Sequence, residues 1–231
     1  MKNILIVGGS YGIGYALAKE LCKDNSVYTV SRTFENPEKI NAVHIPFDAA
    51  SEILNIQKIP TVLDGFVFCP GSINLKPFKN LKHEDFTADF NVNFLNMVKV
   101  LQLVMPNLLI ANNPAIVLFS SVAAAVGLPF HTSVAASKGA VEGFAKALAA
   151  EYAPKMRVNI IAPSLTDTPL AEKFLNTDIK KDKASERHPL KRFGDPADIA
   201  AMAAYLLSDK ATWISGQTFH VDGGMSTLNV Q

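Results

Sequence analysis

A glycine-rich loop near the N-terminus is the first feature of the sequence that could do chemistry. Gly8, Gly12 and Gly14 follow an apolar run, Ile4–Val7, and open a helical pattern over Gly12–Cys22. In such a strand–turn–helix, glycines let the backbone turn tightly and approach a pyrophosphate, and the helix N-terminus presents free N–H groups and a partial positive charge. The loop therefore predicts a dinucleotide site, whose expected contact residues are Gly8, Ser10, Tyr11, Gly12, Ile13 and Gly14.

The residues after the second predicted strand bear on which dinucleotide binds. A carboxylate at this point would hydrogen-bond the adenosine ribose and repel a 2′-phosphate, but the sequence has Ser31 and Arg32. A guanidinium can pair with a 2′-phosphate through charge-assisted hydrogen bonds. We therefore expect NADP(H) in preference to NAD(H). The alternative is that Arg32 is a solvated residue at a strand end.

Short apolar, β-branched runs alternate with longer helical patterns and must position these residues. The predicted strands are Ile4–Val7, Val27–Val30, Val43–Pro46, Gly65–Cys69, Ala115–Ser120, Arg157–Ala162 and Gln217–Val221. The predicted helices are Gly12–Cys22, Lys82–Ala111, Val134–Ala153 and Pro196–Ser208, with weaker ones near Pro37–Ile40 and Ser51–Gln57. The alternation predicts an α/β fold of the Rossmann type, a doubly wound and mainly parallel seven-stranded sheet with helices on both faces. We expect one domain over residues 1–231.

The composition narrows the choice of partners. The chain is 48% hydrophobic and 19% charged, with a formal net charge of +1, which gives no electrostatic footprint for nucleic acid or an anionic membrane. No stretch reaches the roughly 18 apolar residues that span a bilayer, and the apolar run after Lys2 is too short for a signal peptide. We expect a cytoplasmic protein with a small-molecule substrate. Cys22 and Cys69 have no neighbours at metal-ligand spacing, so we expect no metal and interpret both as buried apolar residues.

Longer motifs stand in the middle and C-terminal parts of the chain. Val158-Asn159 is followed by Ala162-Pro163, and the C-terminal motifs are Arg192-Phe193-Gly194-Asp195-Pro196-Ala197-Asp198-Ile199-Ala200, Tyr205-Leu206-Leu207-Ser208-Asp209, Ile214-Ser215-Gly216-Gln217 and Val221-Asp222-Gly223-Gly224. With the Gly-x-x-x-Gly-x-Gly loop, they resemble the short-chain dehydrogenase/reductase family over nearly the whole chain. The resemblance implies an adenine contact at Asp48, close backbone approach to the cofactor at Gly71, and nicotinamide-end contacts at Pro163, Thr166 and Thr168.

The same resemblance implies four catalytic side chains, of which three are present. Ser121 lies at the position of the serine that binds the developing oxyanion, Lys138 at that of the lysine that holds the nicotinamide ribose, and Asn93 at that of the asparagine that supports a proton-relaying water. The family's tyrosine, four residues before the lysine, exchanges the proton as hydride moves, and Val134 stands in its place. The spacing from Ser121 to Val134 is the family's own, so an insertion does not explain the difference. None of the five tyrosines is an obvious substitute: Tyr11, Tyr15, Tyr28, Tyr152 and Tyr205, the last expected to face a core.

Two smaller departures from the family pattern lie nearby. Phe68-Cys69-Pro70 stands where the family usually has Asn-Asn-Ala before Gly71, and this removes side-chain amides that brace the sheet. Ser164 stands where a glycine usually follows Pro163.

His131 is the best candidate for a substitute acid. Histidine titrates near neutral pH, and this one lies on the loop that leads to the helix from Val134. The alternative is an ordinary surface-loop histidine, and His188 is a weaker candidate. Loss of a general acid lowers a rate by about 10²–10⁴-fold, but hydride addition to a conjugated double bond needs no strong acid at the oxygen. The sequence favours an NADP(H)-dependent oxidoreductase acting on a carbonyl or a conjugated C=C bond; the alternative is a non-catalytic NADP(H)-binding regulatory or partner protein.

The sequence also carries predictions about a lid, the substrate and the assembly. A lid-like segment covers about residues 169–190, and its polar part, Asn176–Arg187, is interpreted as either a solvated surface helix or a lid over a substrate cleft. Small residues on the helix from Val134, together with the family resemblance, imply a homotetramer or homodimer, of which we expect the tetramer. The side chains expected to form an apolar pocket wall are Val126, Leu128, Phe130, Val134 and Leu165.

Overall fold

The computed structural model describes residues 1–34 and 40–229, and its centre is one parallel sheet. The strands are β1 (Asn3–Val7), β2 (Ser26–Ser31), β3 (Ala42–Pro46), β4 (Gly65–Phe68), β5 (Ala115–Phe119), β6 (Arg157–Pro163) and β7 (Thr218–Val221). Their order is β3-β2-β1-β4-β5-β6-β7, and each neighbouring pair is parallel. The predicted Rossmann-type, doubly wound fold is confirmed.

Helices follow β1, β4, β5 and β6 and cover both faces of the sheet. They are α1 (Gly12–Leu21), α2 (His83–Phe90), α3 (Asn96–Ile110), α4 (Val122–Ala125), α5 (Thr132–Tyr152), α6 (Glu172–Leu175), α7 (Asp178–Glu186) and α8 (Pro196–Leu207). A π turn over Asn91–Leu95 joins α2 to α3, and single 3₁₀ turns occupy Ile56–Lys58, Phe78–Asn80, Pro169–Ala171 and Asp209–Ala211.

The central strands are buried on both faces because alternate side chains enter different clusters. Along β1, Ile4 and Ile6 pack into the cluster that contains the inner faces of α1 and α8. Leu5 and Val7 enter the opposite cluster, which contains the inner faces of α3 and α5. Continuous apolar runs of this kind are typical of parallel strands covered by helices on both sides.

Local sequence explains where α8 begins. Pro196 occupies its first turn, where a missing N–H is tolerated. Asp195 accepts a hydrogen bond from the Ala197 N–H at 2.8 Å, and Asp198 accepts one from the Asp195 N–H at 2.9 Å. These contacts satisfy N–H groups that the first turn leaves without helical partners.

One helical run among the described residues, His83–Ile110, is long and apolar enough to cross a bilayer by length and composition, with a mean hydropathy of 1.3. Its second half is α3, whose Val100, Val104 and Leu108 are fully buried in the core. Packing within the fold therefore accounts for part of the apolar character of the run, since 33% of its most apolar stretch is buried.

The seven strands lie within one residue of their predicted boundaries at each end. The predicted helix over Ser51–Gln57 is wrong: this part of the chain is irregular until the 3₁₀ turn at Ile56–Lys58, which Asn55 caps by accepting from the Gln57 N–H at 3.0 Å. The helix predicted near Pro37–Ile40 falls largely outside the described residues. The long helix predicted over Lys82–Ala111 is interrupted by the π turn.

The chain reverses its direction of winding between β1 and β4. β1 leads outward through β2 to β3, whereas β4 leads through β5 and β6 to β7. The loops that leave β1 and β4 therefore part and open a crevice at the carboxyl edge of the sheet, which is where such sheets bind ligands.

The tightest backbone approach at this edge gives a prediction. A Cβ added at Gly14 would overlap the Gly8 carbonyl oxygen, a backbone atom with little room to move. We expect Gly14→Ala to lower the free energy of unfolding by about 1–3 kcal/mol, measured by urea denaturation. Gly127→Ala is the control, because a Cβ there would meet nothing within 4 Å. Equal stabilities of the two variants would contradict the close packing of the loop.

Candidate active site

A cavity of about 410 Å³ opens at the carboxyl edge of the sheet. Its wall includes these predicted site residues: Ile13, Gly71, Ser121, His131, Lys138, Pro163, Thr166 and Thr168. The other predicted residues lie outside this wall: Gly8, Ser10, Tyr11, Gly12, Gly14, Ser31, Arg32, Asp48 and Asn93. The structure thus brings the serine, the lysine and the nicotinamide-end residues together, with the glycine loop adjoining them through Ile13.

The glycine loop leaves the start of α1 open to an anion. Gly8 and Gly12 have φ angles of +83° and +58°, which glycine adopts without strain. Tyr11, the N-cap residue, makes no side-chain capping hydrogen bond, and the first turn of α1 contains no acidic residue. A Cβ at Gly12 would lie 3.2 Å from Thr168 Cγ2, so the loop meets the segment after β6 closely. This geometry fits the pyrophosphate of a dinucleotide.

The residues predicted to contact the adenosine end of the cofactor differ in whether their side chains already make hydrogen bonds within the protein. Ser31 is buried, and its hydroxyl donates to the Thr33 carbonyl oxygen at 2.8 Å. Asp48 accepts from the Ala50 N–H at 2.9 Å. Arg32 is exposed, and within residues 1–34 and 40–229 no ion pair involves its guanidinium. Of the three, Arg32 is the one positioned to meet a phosphate from solvent.

Lys138 is the buried charge of the site. Its side chain is 7% exposed, and Nζ donates to the carbonyl oxygen of Phe119, the last residue of β5, at 3.0 Å. Burial lowers the pKa of the Lys138 ammonium to about 8, an effect that the neighbouring Cys69 partly offsets. Burial raises the pKa of the Cys69 thiol to about 12, although the charge of Lys138 opposes this, so the sulfur is a neutral thiol near pH 7.

The π turn holds Asn93 beneath the cavity. Its amide hydrogens donate to Ser72 Oγ at 2.8 Å and to Ser137 Oγ at 3.1 Å, and its Oδ1 accepts from the Ser72 N–H at 3.1 Å. Ser72 in turn donates to Asp89 Oδ1 at 2.6 Å. π turns inside helices often mark functional sites. Asn93 thus lies close to Lys138 and Gly71, and the serines and the buried carboxylate that hold it were not predicted from the sequence.

Ser121 and Val134 reach the cavity from α4 and α5. Ser121 caps α4, its Oγ accepting from the Ala123 N–H at 3.2 Å. Its hydroxyl hydrogen has no acceptor in the described part of the chain and can turn toward a ligand. Val134 is 5% exposed and lies one helical turn before Lys138 on the same wall. All five tyrosines lie outside the wall, so the position beside the lysine is aliphatic.

Two histidines also line the cavity, and their hydrogen bonds differ. His131 Nδ1 lies 2.7 Å from the Pro129 carbonyl oxygen. Because a carbonyl oxygen only accepts, Nδ1 is assigned the hydrogen, and Nε2 has no partner among the described residues. His188 is 3% exposed, with Nδ1 2.7 Å from the Ala184 carbonyl oxygen and Nε2 2.8 Å from Ser164 Oγ. The Ser164–His188 pair was not predicted, because these residues are 24 positions apart and only the folded loops bring them together.

The predicted apolar wall is partly found, and the segment predicted as a lid borders the same cavity. Asn176–Arg187 contains α7, and residues of α7 line the cavity. Leu128, Val134 and Leu165 are on the wall, whereas Val126 and Phe130 are not, because that loop turns Phe130 outward to 53% exposure.

One burial prediction holds in part and another is wrong. Cys22 and Cys69 are free thiols that are partly buried and pack against the apolar cluster beneath α1 and α8. Tyr205 is 40% exposed on the outer face of α8, with its phenol 3.4 Å from the Lys210 carbonyl oxygen, and does not face a core.

The parallel doubly wound sheet, the open glycine loop and the buried lysine define a Rossmann-type dinucleotide-binding protein. A family model described as enoyl-(acyl carrier protein) reductase matches residues 8–226. The chain is 32% identical over 242 residues to a 3-oxoacyl-[acyl-carrier-protein] reductase of Thermotoga maritima, with 97% of each chain covered. It belongs to the short-chain dehydrogenase/reductase family of oxidoreductases.

Further similarities extend over the same length. The chain is 32% identical over 244 residues to a tropinone reductase homolog of Datura stramonium, covering 95% of this chain and 90% of that one. Among solved structures, ElxO with NADP bound superposes with a TM-score of 0.89 at 28% identity, covering 99% and 100% of the two chains. Ligand-free aldohexose dehydrogenase of Thermoplasma acidophilum gives a TM-score of 0.88 at 26% identity, covering 100% and 97%.

The buried lysine makes the stability of the fold increase with pH above about pH 8. The Lys138 pKa is about 8 in the fold against an ordinary 10.5, so between these values the unfolded chain binds more protons and wild-type stability rises with pH. We therefore expect the Tm of Lys138→Met minus that of wild type to fall between pH 7 and about pH 10, measured by thermal denaturation without nucleotide. Lys146→Met, an exposed lysine on α5, is the control, and its Tm difference is expected to stay flat. The same flat profile for Lys138→Met would show that the ammonium is not desolvated.

Proposed function

We propose that this protein is an NADP(H)-dependent reductase that delivers hydride to a carbonyl or a conjugated C=C bond and draws its proton from a group other than residue 134. The observation that carries the proposal is the shared cavity: the buried Lys138 ammonium and the available Ser121 hydroxyl line one wall at the carboxyl edge of the sheet. A buried ammonium without a carboxylate partner is unfavourable by itself, and among the described residues no ion pair involves Lys138; its presence in the cavity supports a role toward a bound ligand.

The residues present fit a dinucleotide, which would supply the hydride when bound. The uncapped start of α1 would hold the pyrophosphate, and the close contact of Gly12 with Thr168 leaves room there for backbone but not for a side chain. Arg32 would pair with a 2′-phosphate and Asp48 would meet the adenine. Lys138 would hold the nicotinamide ribose.

The chemistry at the substrate then depends on two groups. The Ser121 hydroxyl would donate a hydrogen bond to the oxygen on which negative charge develops. We propose His131 as the proton donor, because its Nε2 has no partner among the described residues, whereas Nε2 of His188 is already engaged with Ser164. With a conjugated C=C bond, the charge spreads into an enolate, and protonation at carbon can follow more slowly.

A second candidate function is supported by the same aliphatic position. Val134 places no acid beside Lys138, and the cavity could serve an NADP(H)-binding protein without turnover, acting as a regulator or partner subunit. In that case Lys138 persists to bind the ribose alone.

Restoring the missing phenol separates the two functions. We expect wild type to oxidise NADPH with some member of a panel of ketones, aldehydes and enoyl compounds, and Ser121→Ala to lower that rate by about 10²–10³-fold. Val134→Tyr should raise ketone reduction by about 10²–10⁴-fold, because the phenol would enter a cavity that already holds the serine and the lysine. Val134→Phe is the matched control, since it adds the ring without the hydroxyl. Tight NADPH binding with no turnover by wild type or by Val134→Tyr would favour the non-catalytic function.

Cofactor choice has its own test at Arg32. A charge-assisted hydrogen bond contributes about 1.5–3 kcal/mol, so we expect Arg32→Gln to raise the Kd for NADPH by about 10- to 100-fold. The Kd for NADH, which lacks the 2′-phosphate, is the internal control and should stay the same. Both constants can be measured by fluorescence titration. An unchanged Kd for NADPH would mean that Arg32 is only a solvated residue at the end of β2.

We also propose that the chain assembles as a homotetramer or homodimer through α5. Gly139 and Gly143 are exposed on this helix, and a Cβ at either would meet nothing within 4 Å in the isolated chain. Close approach of a second helix is sterically open at these positions.

A further inference from the structure

One face of α7 carries positive charge toward the cavity. Lys180, Lys183 and Arg187 are spaced by three and four residues, which places them on one side of a helix. All three line the cavity, with Ala184 and His188 buried beneath them. The acidic residues of the helix recur every four positions and lie outside the wall: Asp178, Asp182 and Glu186. The basic face of α7 therefore borders the cavity, and its three side chains are exposed, which places them at the solvent-facing rim.

This basic face has no acidic counterpart across the cavity. No Asp or Glu belongs to the wall among the described residues, whereas Lys138 adds a further positive charge at its inner end. Lys180 is held by its own segment, because Nζ donates to the Lys173 carbonyl oxygen at 2.7 Å and to Asn176 Oδ1 at 2.8 Å. In the parts of the chain that the structure describes, no hydrogen bond or ion pair engages the side chains of Lys183 and Arg187.

The rest of the wall is largely aliphatic and aromatic. The apolar side chains of the wall include Leu75, Leu128, Leu165, Leu170 and Phe174. Apolar pockets with a few placed polar groups bind ligands that combine an apolar body with a matching polar end. At the α7 side, the cations of Lys183 and Arg187 have no hydrogen-bond or ion-pair partner among residues 1–34 and 40–229, and both would attract an anion.

We propose that the substrate of this site has an apolar body and an anionic end, a carboxylate or a phosphate, which binds Lys183 and Arg187. That this ligand is a substrate rests on the proposed function, whereas the presence of a binding site for an amphipathic anion does not. The guanidinium of Arg187 can form two parallel hydrogen bonds with either oxyanion, and Lys183 adds a point charge.

Binding of simple amphiphiles tests the site without turnover. Octanoate, octyl phosphate and 1-octanol are titrated into the full chain by calorimetry, with and without NADP⁺. We expect one or both anions to bind more tightly than the alcohol, and their relative affinity distinguishes a carboxylate site from a phosphate site. We also expect about 1 M salt to weaken the binding of the two anions but not that of 1-octanol, because charges are then screened within about 3 Å.

Substitutions on the two faces of α7 locate the anion. Lys183→Gln and Arg187→Gln should each raise the Kd for octanoate or octyl phosphate by about two- to fivefold, and leave that for 1-octanol unchanged. Lys181→Gln, exposed and outside the wall of the cavity, is the matched control and should change neither. Thermal denaturation of each variant confirms that it is folded.

The outcomes separate this inference from the proposed function. The proposed anionic site would be overturned if neither anion binds, if the alcohol binds as tightly as the anions, or if the double variant Lys183→Gln/Arg187→Gln leaves the Kd for both anions unchanged. Weaker NADPH binding in the double variant with unchanged octanoate binding would also overturn it, because the basic face would then serve the nucleotide. Anion binding as expected, together with no NADPH oxidation with any compound of the panel, would contradict the proposed reductase function and still support the anion-binding site.

Discussion

The desolvated ammonium of Lys138 is the constraint around which the site is arranged. Taking such a charge out of water costs several kcal/mol unless partners replace the lost hydration. Among the described residues, one carbonyl oxygen, that of Phe119, accepts a hydrogen bond from it. The described part of the chain therefore satisfies this charge only in part. A ligand that brings hydroxyl or phosphate oxygens to Nζ recovers part of that cost, and this couples binding to the stability of the fold.

The sheet gives this charge a fixed position. Phe119 ends β5 between β4 and β6, so its carbonyl oxygen is set by strands that are buried on both faces. Behind the lysine, the bonds of Asn93 to Ser72 and Ser137 tie the π turn to the loop after β4 and to α5. A Cβ at Gly71 would lie 3.3 Å from Asn93 Oδ1 and 3.6 Å from Lys138 Nζ. The backbone of Gly71 and the side chains of Asn93 and Lys138 thus meet closely, and a side chain at residue 71 would crowd the lysine.

The sequence predicted the sheet well because strand identity here is a local property. Runs such as Ile4–Val7 and Ala115–Phe119 are apolar and β-branched, and a parallel strand buried on both faces needs little else. The failed helix over Ser51–Gln57 shows the opposite case. There, Asn55 stabilises a turn through its own side chain, and this local hydrogen bond competes with helix formation.

The site was predictable where motifs bear on backbone geometry, as in the glycine loop. It was not predictable where side chains from distant segments pair. Ser164 with His188, and Ser72 with Asp89 and Asn93, are tertiary contacts that have no sequence periodicity. The basic face of α7 that borders the cavity lies between these two cases of predictability. Its spacing is visible in the sequence, but the direction in which that face points depends on how the helix docks, which is set by the few apolar side chains beneath it.

That docking has a kinetic consequence. The predicted lid, residues 169–190, contributes Ala171, Leu175 and Ala184 as the buried members of a small apolar cluster. This cluster is separate from the two large clusters that flank the sheet. Little apolar area is buried there, so detaching the segment requires much less free energy than unfolding the domain. A molecule held between α7 and the cavity wall adds its own contacts to that weak attachment. If residues 169–190 act as a lid, opening of this segment would set the residence time of such a molecule, and departure of the ligand would be the slow step of binding.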